Sequence, residues 1–242
     1  MTVFCRTAIS EVLIINITEQ ENELFKAWEK KYSGKNFIRD GVPCPAEYLK
    51  AKYKITYVLK EANNFDPDGN DYNRDMRTWI MNDGTCGATW SNIVRWTQAI
   101  LECGCDYPEN VDHFDYPKKI SFLNLKKVDG GSQSNPVEIK KFAKADADEI
   151  LSQLKIYQPD IVVCCGINLV ADCLADYVFH YEGVWEHYRE AYDDCCWFYT
   201  QMLGKKTVVL NSYHPLNLGT RRTNVELFNA ISNVALKVLS DV

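Results

Sequence analysis

The chain lacks any excess of positive charge. Its formal net charge is −6 over 242 residues, which gives no global field to hold DNA or an anionic membrane surface. A nucleic-acid partner would therefore have to meet a local basic patch. Long hydrophobic runs are missing as well. The apolar run near the N-terminus, Val12 to Ile15, is bracketed by Glu11 and Asn16, and it is too short for a signal peptide or a membrane span. No Cys-x-x-Cys occurs among the 10 cysteines; the close spacings are Cys103-Gly-Cys105, Cys164-Cys165 and Cys195-Cys196. Adjacent cysteines on a strand point to opposite faces, and Cys164 and Cys165 lie in a hydrophobic run, where a free thiol packs as a small apolar residue. These spacings argue against a zinc site. The expectation is a reduced, cytoplasmic protein without membrane contact, metal or cofactor. Internal repeats and low-complexity segments are also missing.

What is present is an alternation of helical and strand patterns. Thr18-Glu-Gln-Glu21 has capping-box form, and Leu24, Phe25 and Trp28 follow at helical spacing, which predicts a helix from Glu19 to Tyr32. Pro45 opens a short helix. The runs at Ile55–Leu59, Lys119–Leu125, Pro159–Gly166 and Thr207–Leu210 read as strands, the third having the continuous apolar form of a central parallel strand. Helices are predicted over Asp71–Met81, after a Thr89 cap, over Pro136–Tyr157 and over Ile167–Leu174, with a final one begun by the capping box Thr223-Asn-Val-Glu226. Cys196–Leu203 and Thr207–Leu210, joined at Gly204-Lys-Lys, have hairpin form, which would make the sheet mixed. The fold class expected is α/β: a three-layer α/β/α sandwich around a central, mainly parallel four-stranded sheet. It forms one domain over 1–242, with 1–53 a helical extension packed on it. Residues 177–199 receive no assignment, and His180 and His187 within them read as surface or packing histidines.

If the strands are parallel, three polar clusters emerge at one edge. The first strand runs straight into Lys60-Glu-Ala-Asn-Asn-Phe-Asp-Pro-Asp-Gly69, turn chemistry with a carboxylate and two carboxamides. The second carries Asn124, which must find partners inside an apolar run, face a ligand, or cap the next turn. The fourth leads into His214. In open α/β sheets, ligands bind outside the carboxyl ends of the strands.

These motifs resemble those of the uracil-DNA glycosylase superfamily. Lys-Glu-Ala-Asn-Asn looks like its Gly-Glu-Ala-Pro-Gly type of loop, and Phe-Leu-Asn-Leu-Lys-Lys is similar to its second-strand Asn followed by a basic residue. Pro-Asp-Ile-Val-Val-Cys-Cys-Gly resembles its third strand. His214-Pro-Leu-Asn-Leu-Gly-Thr-Arg-Arg222 resembles its His-Pro-Ser-Pro-Leu-Ser loop. The resemblance spans Ile55 to Arg222 with the motifs in order. It implies a base-excising N-glycosylase acting on uracil or a related deaminated or modified base. On that resemblance, Glu61 and His214 are the catalytic pair, positioning water and donating a hydrogen bond to the leaving base. Asn63, Asn64, Phe65 and Asn124 bind the base, with Trp79 a competing aromatic. Lys126, Lys127, Leu218, Arg221 and Arg222 meet the nucleic acid, Leu218 as a wedge in the base stack. No cofactor is implied, since the four-cysteine spacing of the iron–sulfur branches is absent. The chain departs from the pattern at Asn63-Asn64, where Pro and Gly are usual, and at Leu216, where Ser is usual.

Two other readings fit the same residues. One is a noncatalytic nucleic-acid or nucleotide-binding module. The other is a hydrolase or transferase of free nucleosides, which needs no basic groove.

Overall fold

The structure, a computed structural model, describes residues 17–63, 75–131, 133–187, 195–216 and 222–242. Strand β1 (Ile55–Asn63) lies between β2 (Ser121–Gly130) and β3 (Ile161–Cys165), parallel to both. β3 in turn pairs in parallel with β6 (Thr207–Ser212). The four expected strands thus run in parallel, in the order β2-β1-β3-β6.

The sheet does not stop at four strands. β5 (Cys196–Thr200) adds antiparallel to β6, and the short β4 (Glu186–His187) adds antiparallel to β5, giving a six-stranded sheet. The hairpin pattern around Gly204 is therefore real, and residues 186–187 from the unassigned stretch cover the new edge. The expectation of four strands is corrected by this pair. An antiparallel neighbour needs only a tight turn, whereas each parallel neighbour needs a crossover.

Helices flank the sheet on both faces. Alternate strand residues divide between two apolar cores, because side chains on a strand alternate by face. Tyr57, Phe122, Val163 and Leu210 face one core, together with α4 (Gly87–Leu101) and α8 (Asn224–Leu239). Val58, Leu123, Val162 and Val209 face the other. That core is lined by α1 (17–29), α5 (Pro136–Ala145), α6 (Ala147–Tyr157) and α7 (Leu169–Cys173), which runs on into a π-helical stretch at Leu174–Phe179.

Residues 17–53 contribute side chains to the second core. Phe25, Trp28 and Phe37 are buried in the second core, and each buried phenylalanine contributes about 1.5–3 kcal/mol relative to exposure. Phe37 and Gly41 make antiparallel bridges to Val128 and Phe122 of β2. The segment therefore completes the sheet's flank, with α2 (Pro45–Lys50) leading into β1.

Two helix boundaries also differ from expectation. The helix over Pro136–Tyr157 is broken at Asp146, whose φ of −114° and ψ of 19° end α5 and begin α6. Asp146 turns its carboxylate inward to accept the Tyr32 hydroxyl at 2.5 Å and to pair with Lys31. Those partners lie more than a hundred residues away in sequence. α4 starts at Gly87 after Cys86, ahead of the expected Thr89 cap. The capping box at Thr223 forms as read.

α3 (Met76–Asp83) is anchored by Asp75, whose carboxylate accepts from the Arg77 and Thr78 amides at 3.1 and 3.4 Å and from the Arg77 guanidinium at 2.7 Å. Asp75→Ala is expected to lower stability by about 1–2 kcal/mol, the worth of a lost N-cap. Urea titration should show the midpoint falling at constant slope.

Candidate active site

The chain enters and leaves the sheet so that strand order reverses between β1 and β3. The β1-to-β2 connection carries α4 on one face, and the β3-to-β6 connection carries α7 on the other. The gap outside the carboxyl ends of β1 and β3 is the crevice that such a topology opens to ligands. Lys60 and Glu61 arrive there from β1, Gly166 from β3, and His214 from just beyond β6.

The two charged residues of β1 part company at this point. Glu61 turns toward β2, where it faces Lys126 in register. Its Oε2 lies 2.7 Å from Lys126 Nζ, with both side chains about 5% exposed. Gly130 is required there, since a Cβ would sit 2.3 Å from Glu61 Cδ. Lys60 turns toward β3 instead. Its stem lies over Gly166, where an added Cβ would be 3.9 Å from Lys60 Cδ and Cε. The Lys60 ammonium is close enough to His214 for its charge to depress the imidazole pKa.

His214 is held in one protonation state and one tautomer. Burial, and then the Lys60 charge, lowers its pKa from 6.5 to about 4, because both disfavour the cation. The Leu216 amide donates to Nδ1 at 3.2 Å, so in the neutral ring Nε2 carries the hydrogen and is the donor. The loop carrying it is pinned from α4: Asn92 Nδ2 donates to the Pro215 carbonyl at 2.7 Å. Before it, Tyr213 is buried, with the Arg222 guanidinium 5.0 Å from its ring centroid.

Asn124 sits in the middle of β2 and is 3% exposed. Its backbone N–H donates to Asp40 Oδ2 at 2.6 Å and its Nδ2 to the same oxygen at 3.2 Å. A carboxylate only accepts, so the amide nitrogen must face Asp40 and the orientation of the carboxamide is decided. The same Nδ2 also donates to Met76 Sδ at 3.8 Å. The capping alternative does not apply, because the strand continues past it to Gly130.

Lys127 is fully enclosed. Its ammonium binds Asp40 Oδ1, and neither side chain has any exposed surface. Burial pushes the Lys127 pKa down against the pull of Asp40. Asp40 also accepts from Gln153 Nε2 at 2.8 Å. Beside this cluster Glu21 accepts from the Val42 amide and pairs with Arg77 at 2.7 Å. Burial raises the Glu21 pKa against the pull of Arg77.

The expectation that Lys126 and Lys127 offer a basic patch is therefore corrected. Lys126 is committed to Glu61 and to Glu138 at 3.2 Å. Burial works to lower its pKa, and these two carboxylates outweigh it and hold the ammonium charged. Lys127 is part of the core. Glu61 and His214 share the sheet edge, but β3 lies between their strands and Glu61 is turned away toward β2. The β1 side chain whose charge acts on His214 is Lys60. Trp79 packs edge-on against Trp90 at 6.2 Å. Asn64, Phe65, Leu218 and Arg221, and the side chain of Asn63, lie outside the described residues.

Sequence reasoning passed over Lys60, Asp40 and Asn92. Asn92 left a trace, a carboxamide within the apolar face of α4. Lys60 lay inside the first loop motif and was overshadowed by Glu61. Asp40 left none, since nothing in its own neighbourhood marks it as buried. Each described cysteine is a free thiol, and no cluster of ligating side chains that could hold a metal occurs among the described residues. No helix among them is long and apolar enough to cross a membrane.

No protein-family model matches the chain, and no curated protein matches it.

Proposed function

We propose that the protein is a base-excising N-glycosylase of uracil-DNA glycosylase type, acting in the cytoplasm on uracil or a related deaminated or modified base in nucleic acid. The observation that carries this reading is His214. It is a neutral imidazole with Nδ1 already satisfied and Nε2–H left to donate, at the crevice where an α/β sheet takes its ligand. Breaking an N-glycosidic bond places negative charge on the departing base. A fixed donor aimed there stabilises the transition state more than the substrate.

Asn124, oriented by Asp40, presents its carbonyl oxygen away from that carboxylate, suited to accept from an N–H of the base edge. In this reading Glu61 acts through its charge on the cationic sugar rather than by touching His214. Nucleic acid is held by cations other than Lys126 and Lys127, with Arg222 beside Tyr213 and Lys60 at the crevice as the described candidates.

One observation favours the second reading, a noncatalytic nucleotide- or nucleic-acid-binding module. The carboxylate expected to position water is already paired with Lys126. A single assay separates the two. Duplex and single-stranded oligonucleotides bearing uracil, hypoxanthine, xanthine or a mismatch are incubated with the protein, and abasic sites are scored by alkaline cleavage. Base release from at least one supports the enzyme. Salt-sensitive binding with no release from any supports the binding module.

A further inference from the structure

Two exposed side chains at the amino-terminal edge of the sheet stand closer together than a hydrogen bond explains. Lys52 lies in the bend between α2 and β1, and Cys103 follows the last turn of α4. Lys52 Nζ is 2.7 Å from Cys103 Sγ, although the two residues are 51 apart in sequence. An N–H···O hydrogen bond is typically about 2.9–3.0 Å long, and sulfur is a larger acceptor than oxygen. Four other polar contacts of sulfur among the described residues measure 3.9, 3.8, 3.7 and 3.5 Å. The Lys52–Cys103 contact is far shorter than any of these.

Both partners are held where they meet. Cys103 closes α4 with a left-handed φ of 60°, its amide donating to the Ile100 carbonyl at 3.3 Å and the next amide, of Gly104, to Ala99 at 2.8 Å. The Lys52 ammonium lies 5.4 Å from the Tyr53 ring centroid. No carboxylate pairs with it among the described residues, so the thiol is not competing with an acid for the amine.

We propose that Lys52 and Cys103 form a covalent modification site, in which reaction with hydrogen peroxide joins Nζ to Sγ through one bridging oxygen atom. A direct N–S bond would need the two atoms to move well inside 2.7 Å, whereas one oxygen bonded to both spans that gap with little movement. Exposure of both side chains lets the oxidant reach them, and cysteine oxidation follows exposure and thiolate character. The site goes beyond the glycosylase reading and does not depend on it. It precedes β1, while His214 follows the carboxyl end of β6.

The chemistry consumes two molecules of peroxide. The Cys103 thiolate attacks one peroxide oxygen, the O–O bond breaks, and the departing hydroxide takes a proton to become water. Sulfur is oxidised to a sulfenic acid and the peroxide is reduced. Loss of the thiolate removes the charge that raises the Lys52 pKa, which frees the neutral amine. That amine attacks the second peroxide, forming an N–O bond and releasing a second water, and leaves a hydroxylamine. The hydroxylamine oxygen then attacks the sulfenic sulfur. The new O–S bond forms as the S–OH bond breaks, and the hydroxyl leaves as a third water with the proton from the attacking oxygen. Two equivalents of a dithiol reverse the sequence, returning thiol, amine and one water.

The test treats the reduced full chain with hydrogen peroxide and compares peptide maps and melting curves before and after. The expected product is a peptide linking the Lys52 segment to the Cys103 segment, heavier than the two together by one oxygen less two hydrogens, and lost on adding dithiothreitol. Closing the chain between these residues constrains the unfolded state, so the melting temperature should rise by roughly 5–15 °C. Lys52→Arg and Cys103→Ser, both at exposed positions, should fold as wild type does when reduced and should give neither the linked peptide nor the rise. A linked peptide that has lost two hydrogens without gaining oxygen is a direct nitrogen–sulfur bond and overturns the bridge. Cys103 carrying oxygen but free of Lys52, Cys103 joined to Cys105, an unreacted Cys103, or a rise that persists in Lys52→Arg overturns the site.

Discussion

If the protein excises bases as proposed, replacing His214 by Ala is expected to lower base release about 10²-fold or more, the cost of one lost preorganised donor. Binding of the substrate strand should change little, because the imidazole donates to a charge that develops only as the bond breaks. The pH profile carries a second signature. With a pKa near 4, His214 stays neutral across the range in which an ordinary histidine takes up a proton. Its contribution should therefore persist from pH 7 down to about pH 5 and fall only as pH approaches 4. A profile that breaks near 6.5 would show an ordinary exposed histidine and remove the donor from the mechanism. The same shift has a consequence for folding. Between pH 6.5 and 4 the unfolded chain binds a proton at this residue and the folded chain does not, so His214 makes stability decline as pH falls through that window. His214→Ala should flatten that decline, which urea midpoints at pH 7 and pH 5 would measure.

Asp40→Ala is expected to be the most damaging single change to the fold. It leaves the Lys127 ammonium buried without its counter-charge, and it strips acceptors from the Asn124 backbone, the Asn124 amide and Gln153. Removing one member of a buried ion pair costs about 3–5 kcal/mol. In a chain of this length each kcal/mol moves the melting temperature by roughly 2–4 °C, so a fall of about 10 °C is expected. The double variant Asp40→Ala, Lys127→Met separates the two jobs of Asp40. Replacing the charge by an apolar side chain of similar length should recover most of the stability. Base release should remain depressed, because Asn124 has still lost the acceptor that orients it. Full recovery of both would mean that Asp40 serves the core alone.

The fold was legible where local pattern and tertiary demand coincide. The apolar runs at Ile55, Ile120, Ile161 and Thr207 became parallel strands, since each is long enough to be buried on both faces and each but the last is followed by helical spacing. The Thr223 capping box formed because both of its hydrogen bonds lie within one turn. The site was legible only in outline. His214 and Asn124 were found as polar residues at the ends of or within apolar strands, a pattern that demands a partner. The lysines after Asn124 were misread because a Lys-Lys pair looks the same in sequence whether it faces solvent or carboxylates. What distinguishes the two cases is Asp40, Glu61 and Glu138, from three other segments of the chain.

The sequence by itself determined the period of each element, the direction of the strands through their crossover helices, and the edge at which the polar loops emerge. These follow from side-chain spacing, from turn residues and from the length of the connections, all of which are local. The tertiary structure alone decided which charges stay available. Burial against a distant carboxylate removed Lys126 and Lys127 from any surface and turned Glu61 toward β2. The reversal of strand order between β1 and β3 brought the Lys60 stem over Gly166, from where its charge acts on His214. The low dielectric of that crevice keeps the imidazole neutral. Charge pairing and desolvation depend on what surrounds a side chain in space, and that was settled only when the strands assembled.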